Sequence, residues 1–280
     1  MRTVQVDGAR LAYTDHGDPS ADPVVLLHGY PANHRCWRHQ IPGLAEDRRV
    51  LAPDLLGWGA SERRRDLRFD YDTEVARLGR VLDALGVDRC DLVGHDYGGF
   101  LALGFAQRHP HRVRRLAILN SRAHGTFVPA WYAAFTLAGV PGRLGLADLG
   151  ARVLPLTRLN RRGMRRVLRP GAIDSATMSD YLDWMSTPEG GAWLLHFFGH
   201  YRVPARHDLA DGLSRMTCPT AIIWGTREPF IPDSTPAELT SGIPDAELTL
   251  LDGAGHFVME EAPGEVLTAL RKLLRREVTA

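Results

Sequence analysis

The chain has 280 residues, 44% of them hydrophobic, and a net charge of +1 from 34 Lys plus Arg against 33 Asp plus Glu. That length can bury a sizeable core, and the near-neutral balance supplies no field to gather nucleic acid or an anionic membrane. Cys36, Cys90 and Cys218 form an odd set without CxxC spacing, which argues against a disulfide framework or a zinc site and fits a reducing compartment.

Thr3 to Val6 and Arg10 to Tyr13 alternate apolar and polar residues around Asp7-Gly8, so the chain is expected to open with a β-hairpin. MRTVQVDGARLAYTDHG lacks an apolar signal core, and no long apolar run follows, so a soluble, cytoplasmic protein is expected. Val24 to Leu27, wholly apolar after Pro23, reads as a strand buried on both faces and ends in His28-Gly29-Tyr30-Pro31. Val50 to Pro53 repeats the pattern and enters the Gly-punctuated loop Asp54 to Ser61. Tyr71 to Leu85 has helical spacing, with Asp72 or Thr73 available as a cap. A strand through Leu92 and Val93 meets a sharp turn, then a helical run from Phe100 to Arg108, stopped by His109-Pro110 before a strand at Val113 to Leu119. Such alternation predicts an α/β fold with a mostly parallel sheet and helices on both faces.

The alternation breaks at Asn120. From about Arg122 to Gly212 the pattern is helical and rich in aromatics, which predicts an inserted helical cap over 122–212 between core segments 1–121 and 213–280. Most of those aromatics are expected to be filler, with one or two lining a pocket against the sheet. Arginine runs at 63–65 and 158–169 read as solvated faces. Strands return at Thr220 to Trp224 and Ala246 to Leu251, and a helix from Pro263 to Arg276 closes the chain.

The chemistry centres on Asp91 to Gly99, DLVGHDYGG, a strand, tight turn and helix start with small residues flanking Asp96. Its spacing is not that of a dinucleotide fingerprint; it fits a nucleophile elbow, which needs glycines because the central residue is strained and closely packed. Asp96, Glu228 and His256 each follow a strand, in the order nucleophile, acid, histidine. His256 is then expected to activate water and Glu228 to orient the imidazole, with Asp252 and Asp233 left open as the supporting acid. A carboxylate nucleophile displaces a leaving group at sp3 carbon and yields an alkyl ester, which suits epoxides and alkyl halides. Cleavage of that ester makes an oxyanion on Asp96 itself, for which the amides of Tyr30 and Tyr97 are the expected donors.

The segments HGYP (28 to 31), CWRHQIPGL (36 to 44), DLLGWGAS (54 to 61), GHDYGG (94 to 99), WGTREPFIP (224 to 232) and GAGHF (253 to 257) resemble the epoxide hydrolase and haloalkane dehalogenase branch of the α/β-hydrolase superfamily. The resemblance implies the α/β-hydrolase fold and a small-molecule substrate hydrolysed without metal or cofactor; the net charge implies no nucleic-acid or membrane partner, and a homodimer is left open. Haloalkane dehalogenases usually carry Asn after HG and Trp after the nucleophile, where this chain has Tyr30 and Tyr97. Fluoroacetate dehalogenases place arginines where Tyr97 and Phe100 stand. Epoxide hydrolases use two cap tyrosines as acids, one within a Tyr-Arg pair. Tyr201-Arg202 resembles that pair, and Tyr132 and Tyr181 are the remaining cap tyrosines. Tyr30, Tyr97, Trp37, Tyr132 and Trp184 are the expected substrate-binding residues. The leading expectation is an epoxide hydrolase giving a vicinal diol; the alternatives are a C–halogen hydrolase using the same three residues and a non-catalytic ligand-binding homologue.

Overall fold

The computed structural model describes residues 1–201 and 205–278. Its sheet contains β1 (Arg2–Val6), β2 (Ala9–His16), β3 (Pro23–Leu27), β4 (Arg49–Pro53), β5 (Cys90–His95), β6 (Val113–Leu119), β7 (Thr220–Gly225) and β8 (Ala246–Leu251), in the spatial order β1-β2-β4-β3-β5-β6-β7-β8. Asp7 and Gly8 both take positive φ, 53° and 73°, the backbone that a two-residue hairpin turn with the twist of its strands requires. β2 pairs antiparallel with β1 and β4, and the pairs from β4 to β8 are parallel. Parallel order sends the chain out of β3, β5, β6, β7 and β8 along one edge, which is where an open α/β sheet keeps its ligand.

Helices cover both faces, as continuous apolar runs in the central strands demand. Tyr71–Ala84 is capped by Asp70, whose extended backbone lets its carboxylate accept the Thr73 N–H at 3.1 Å. The expected caps Asp72 and Thr73 already lie inside the helix; Asp72 pairs outward with Arg206 at 2.9 Å. Tyr97–Arg108 begins three residues ahead of the apolar run at Phe100. Gly98 permits this, because a Cβ there would meet the carbonyl oxygens of Leu27 and His28 at 2.5 Å. The helix start is thus pressed against the end of β3.

Between β6 and β7 the regular structure of the described residues is helical, including Pro129–Ala138, Ala147–Val153, Leu156–Val167, Ser175–Leu182 and Pro188–His200. Phe197, Trp193 and Trp184 from this region join Trp58 of the sheet-side loop in edge-to-face ring contacts at 5.0–5.8 Å. Those contacts anchor the helical segment over the loop-bearing edge of the sheet. No helix among the described residues is long and apolar enough to cross a membrane.

Candidate active site

Asp96 sits between β5 and the helix Tyr97–Arg108 with φ 48° and ψ −116°, a backbone that L-residues rarely adopt. The turn is held tight on every side. Gly29 passes so close that a Cβ would meet the Asp96 Cβ at 2.5 Å, and the Ser121 hydroxyl donates to the Asp96 carbonyl at 2.6 Å. The Tyr30 N–H donates to Asp96 Oδ2 at 2.9 Å, and the Tyr97 amide also bonds the carboxylate. Burial raises the Asp96 pKa, opposed by His256 and these two amides. With Oδ2 held by the Tyr30 amide, Oδ1 is the oxygen turned toward the imidazole.

His256 lies in the loop after β8, with Nε2 3.9 Å from Asp96 Oδ1 and Nδ1 2.7 Å from Glu228 Oε2. The first distance exceeds a direct hydrogen bond; the second is a short one that assigns the ring proton to Nδ1. Burial lowers the His256 pKa, but the Glu228 and Asp96 carboxylates outweigh it, and the net shift is upward. Of the three acids left open, Glu228 is the one that meets the ring; Asp252 instead accepts from the Thr226 hydroxyl at 3.3 Å.

Glu228 is itself clamped. Its Oε1 accepts the Phe230 N–H at 2.7 Å, and its Oε2 accepts Nδ2 of Asn120 at 2.5 Å. Asn120 follows β6 with φ 36° and takes the Gly225 N–H on its Oδ1 at 3.0 Å, so one side chain ties β6, β7 and the acid together. Sequence reading passed over Asn120, although its place at the exit of a central strand was the available signal. It also passed over His95, whose Nε2 donates to the His256 carbonyl at 2.8 Å and whose burial holds its pKa well below the usual imidazole range.

A cavity of about 310 Å³ opens above the carboxylate, lined mostly by apolar side chains from both the sheet edge and the helical segment. Asp96, His256, Tyr30, Tyr97 and Tyr201 all border it. The three phenols differ. Tyr30 donates to Oδ1 of Asn160, and Tyr97 donates to Glu74 Oε2 at 2.9 Å. Tyr201 stands edge-on to the Tyr97 ring at 4.9 Å, and its hydroxyl meets no hydrogen-bond partner among the described residues. Burial pushes its pKa up to about 12. Arg202, the second member of the Tyr-Arg pair, lies outside the described residues.

Other expected wall residues lie elsewhere. Trp37 is fully buried in the core and does not border the cavity. Tyr132 projects outward, 39% exposed, from a helix that turns Trp131 and Phe135 to the cavity instead. Trp184 packs between Trp58, Trp193 and the Arg63 guanidinium. Tyr181 is buried with its hydroxyl on Glu260 Oε1 at 2.5 Å, away from the cavity. Trp58 and Asn160 are unexpected wall residues, and the cap supplies Phe127, Trp131, Phe135, Phe197, Phe198 and Tyr201, more aromatics than the one or two expected. Among the described residues no cluster of His, Cys, Asp and Glu is arranged to hold a metal ion.

An eight-stranded, mostly parallel sheet with a carboxylate elbow after β5, an acid after β7 and a histidine after β8 defines the α/β-hydrolase class. The alpha/beta hydrolase fold family matches residues 22–263, and the chain belongs to it, within the epoxide hydrolase and dehalogenase branch. The chain is 32% identical to epoxide hydrolase A of Mycobacterium tuberculosis, over 98% of this chain and 96% of that protein. Against a soluble epoxide hydrolase of Corynebacterium sp. the identity is 31%, over 95% and 94% respectively. A solved structure described as an ancestral haloalkane dehalogenase superposes with a TM-score of 0.80 at 23% identity, covering 99% of this chain and all of that one, a likeness of fold. The protein is a hydrolase of this family.

Proposed function

We propose that the protein opens epoxides to vicinal diols through a covalent ester on Asp96. The observation that carries this reading is the hydroxyl of the buried Tyr201, which has no hydrogen-bond partner among the described residues and borders the same cavity as the Asp96 carboxylate. A phenol held near pKa 12 stays protonated at neutral pH and is a hydrogen-bond donor to an epoxide oxygen.

In the first step Asp96 Oδ1 attacks an epoxide carbon, the carbon–oxygen bond breaks, and the departing oxygen takes the Tyr201 proton. In the second, His256 removes a proton from water, and the resulting hydroxide adds to the Asp96 carboxyl carbon. Negative charge then develops on Oδ2, where the Tyr30 amide already points, and the Tyr97 amide also bonds this carboxylate. Collapse expels the diol alkoxide, which takes the proton held by His256, and the second proton of the water, left on the Asp96 carboxyl, passes to the Tyr201 phenolate. The raised Asp96 pKa, caused first by burial, marks a carboxylate poorly solvated and therefore more reactive toward carbon. The apolar walls suit a lipophilic epoxide.

Dehalogenation has one observation in its favour. Trp58 borders the cavity with its Nε1 buried and without a hydrogen-bond acceptor among the described residues, as a halide donor would be. Tyr30 and Tyr97, at the two usual halide-binding positions, have their hydroxyls committed to Asn160 and Glu74. Parallel assays of diol formation from styrene oxide and halide release from 1-bromobutane separate the two. Diol without halide is the expected result, and halide release alone overturns the epoxide reading.

A further inference from the structure

The cap's outer surface is unlike the rest of the molecule. Nine of the twelve exposed large hydrophobic side chains among the described residues fall between 132 and 159, including Leu137, Leu144 and Val153 at 68%, 66% and 67% exposure. The helix Pro129–Ala138, PAWYAAFTLA, carries no charge and buries no residue completely. Such a concentration of exposed apolar side chains in one short segment is uncommon on a monomeric protein and points to something that covers it.

The patch has a basic border. Residues 137–170 contain eight arginines against a single acid, Asp148, which pairs with Arg65 at 2.9 Å. On the helix Leu156–Val167, Asn160, Gly163 and Met164 face the cavity. Arg158, Arg162, Arg165 and Arg166 recur at helical spacing on the other side. Those four are exposed and enter no ion pair among the described residues. Leu159 borders the cavity and is 56% exposed, which puts it at the mouth, with Arg158 beside it and Arg162 one turn on. Apolar patch, cavity mouth and cationic ridge are therefore neighbours.

We infer that this face of the cap docks on an anionic phospholipid surface, with the cavity mouth turned to the lipid from which a lipophilic substrate enters. Exposed leucines insert at the headgroup boundary while arginines meet lipid phosphates, the arrangement by which peripheral proteins bind bilayers. Charge decides against a second copy of this chain as the cover. A two-fold contact sets the same patch on itself, so the arginine ridges would oppose one another. The proposal sets aside the expectation, drawn from net charge alone, that no membrane partner is implied; a near-zero total conceals a local excess.

The test is co-sedimentation of the full chain with vesicles of phosphatidylcholine alone or with phosphatidylglycerol added to about a third, a readout that does not depend on the reaction assigned to the cavity. Binding is expected only with the anionic vesicles, and it should weaken as ionic strength rises from about 0.05 to 0.5 M, where the screening length falls severalfold. The triple variant R158E/R162E/R166E should lower partitioning by a factor on the order of 10². L144S/L149S/V153S should lower it independently of salt. Melting curves verify that both variants fold. Absence of binding to the anionic vesicles, or binding unchanged in the arginine variant, overturns the proposal. A concentration-dependent dimer that L144S/L149S/V153S dissociates, without vesicle binding, overturns it too and gives the patch to a second copy.

Discussion

The two walls of the cavity are built on different principles. On the sheet side, each group near the carboxylate is fixed by a partner that is itself fixed: Asp96 by the Tyr30 amide, His256 by Glu228, Glu228 by Asn120 and Phe230. On the cap side the contacts are ring against ring, among them Phe135 on Phe198 and Phe197 on Tyr201, and Tyr201 ends in an unengaged hydroxyl. Hydrogen-bonded strand-end loops hold geometry to a fraction of an ångström, which bond-making needs. Apolar packing tolerates exchange of one side chain for another, which is what varying a substrate needs. Sheet-side substitutions should therefore abolish chemistry for every substrate, and cap substitutions should act according to substrate class.

The largest effect is expected at Asp96. Asp96→Asn keeps the shape and the amide contacts but removes the attacking charge, so diol formation should fall by about 10⁴ or more with the melting temperature nearly unchanged. Substantial activity in a fresh preparation would remove Asp96 from the nucleophile's place.

His256→Ala should cut turnover by roughly 10³ to 10⁴, and in a particular way. Ring opening needs only Asp96 and an acid, whereas ester cleavage needs an activated water, so the variant should accumulate protein heavier by one substrate mass on the peptide containing Asp96. Wild-type enzyme after a single turnover in heavy-oxygen water should carry label in that carboxylate. Slow turnover without adduct, together with an unlabelled wild type, means that water attacks the substrate directly.

Tyr201→Phe crosses to the cap and should lose about 10²-fold in epoxide opening, the scale of a positioned general acid. Release of halide from an alkyl halide, if any is detected, should be unaffected. Equal loss for both substrates would make Tyr201 a packing residue and erase the contrast between the walls.

The same contrast governs what the sequence disclosed. Apolar runs that become buried strands are local, so β3 to β8 were legible, as were the Gly-rich turns that follow them. The site's sheet half is written in those turns. The cap half depends on which way a helix faces: Tyr132 and Trp131 are adjacent, yet only Trp131 borders the cavity. Tyr181 and Tyr201 look alike as cap tyrosines. Glu260, 79 residues beyond Tyr181, occupies its hydroxyl and withdraws it from the cavity, and no local pattern carries that pairing. Trp37 lies in a motif of the family, but the short turn His34–Trp37 buries its ring in the core.

Asn120→Ala should cost roughly tenfold in kcat, from a buried bond to a charged group worth about 1.5–3 kcal/mol that Phe230 and His256 partly retain. Asn120 acts through Glu228 and is a positioning residue. Its loss should shift the pH dependence of ester cleavage along with the rate, whereas a purely structural defect would lower the melting temperature and leave the profile in place.

The smallest expected effect is a shift between two pH profiles, and it separates the half-reactions without any substitution. In the free enzyme the His256 pKa is raised because Glu228, Asp96 and Glu261 together outweigh burial. Once Asp96 is esterified its charge is gone, so one of the carboxylates opposing burial no longer holds the imidazole's proton, while Glu228, Glu261 and burial remain. The His256 pKa in the ester should consequently lie below its value in the free enzyme. With His256 as the proposed base, ester cleavage should rise with pH through that lower value and then level off. Rapid-quench measurement of adduct decay across pH gives the first pKa, and an imidazole titration of the unreacted protein by NMR gives the second. A decay limb at or above the free-enzyme value would mean that Asp96 keeps its charge during the step His256 assists. In that case the ester, and with it the division of labour between a fixed sheet edge and an adaptable cap, would have to be abandoned.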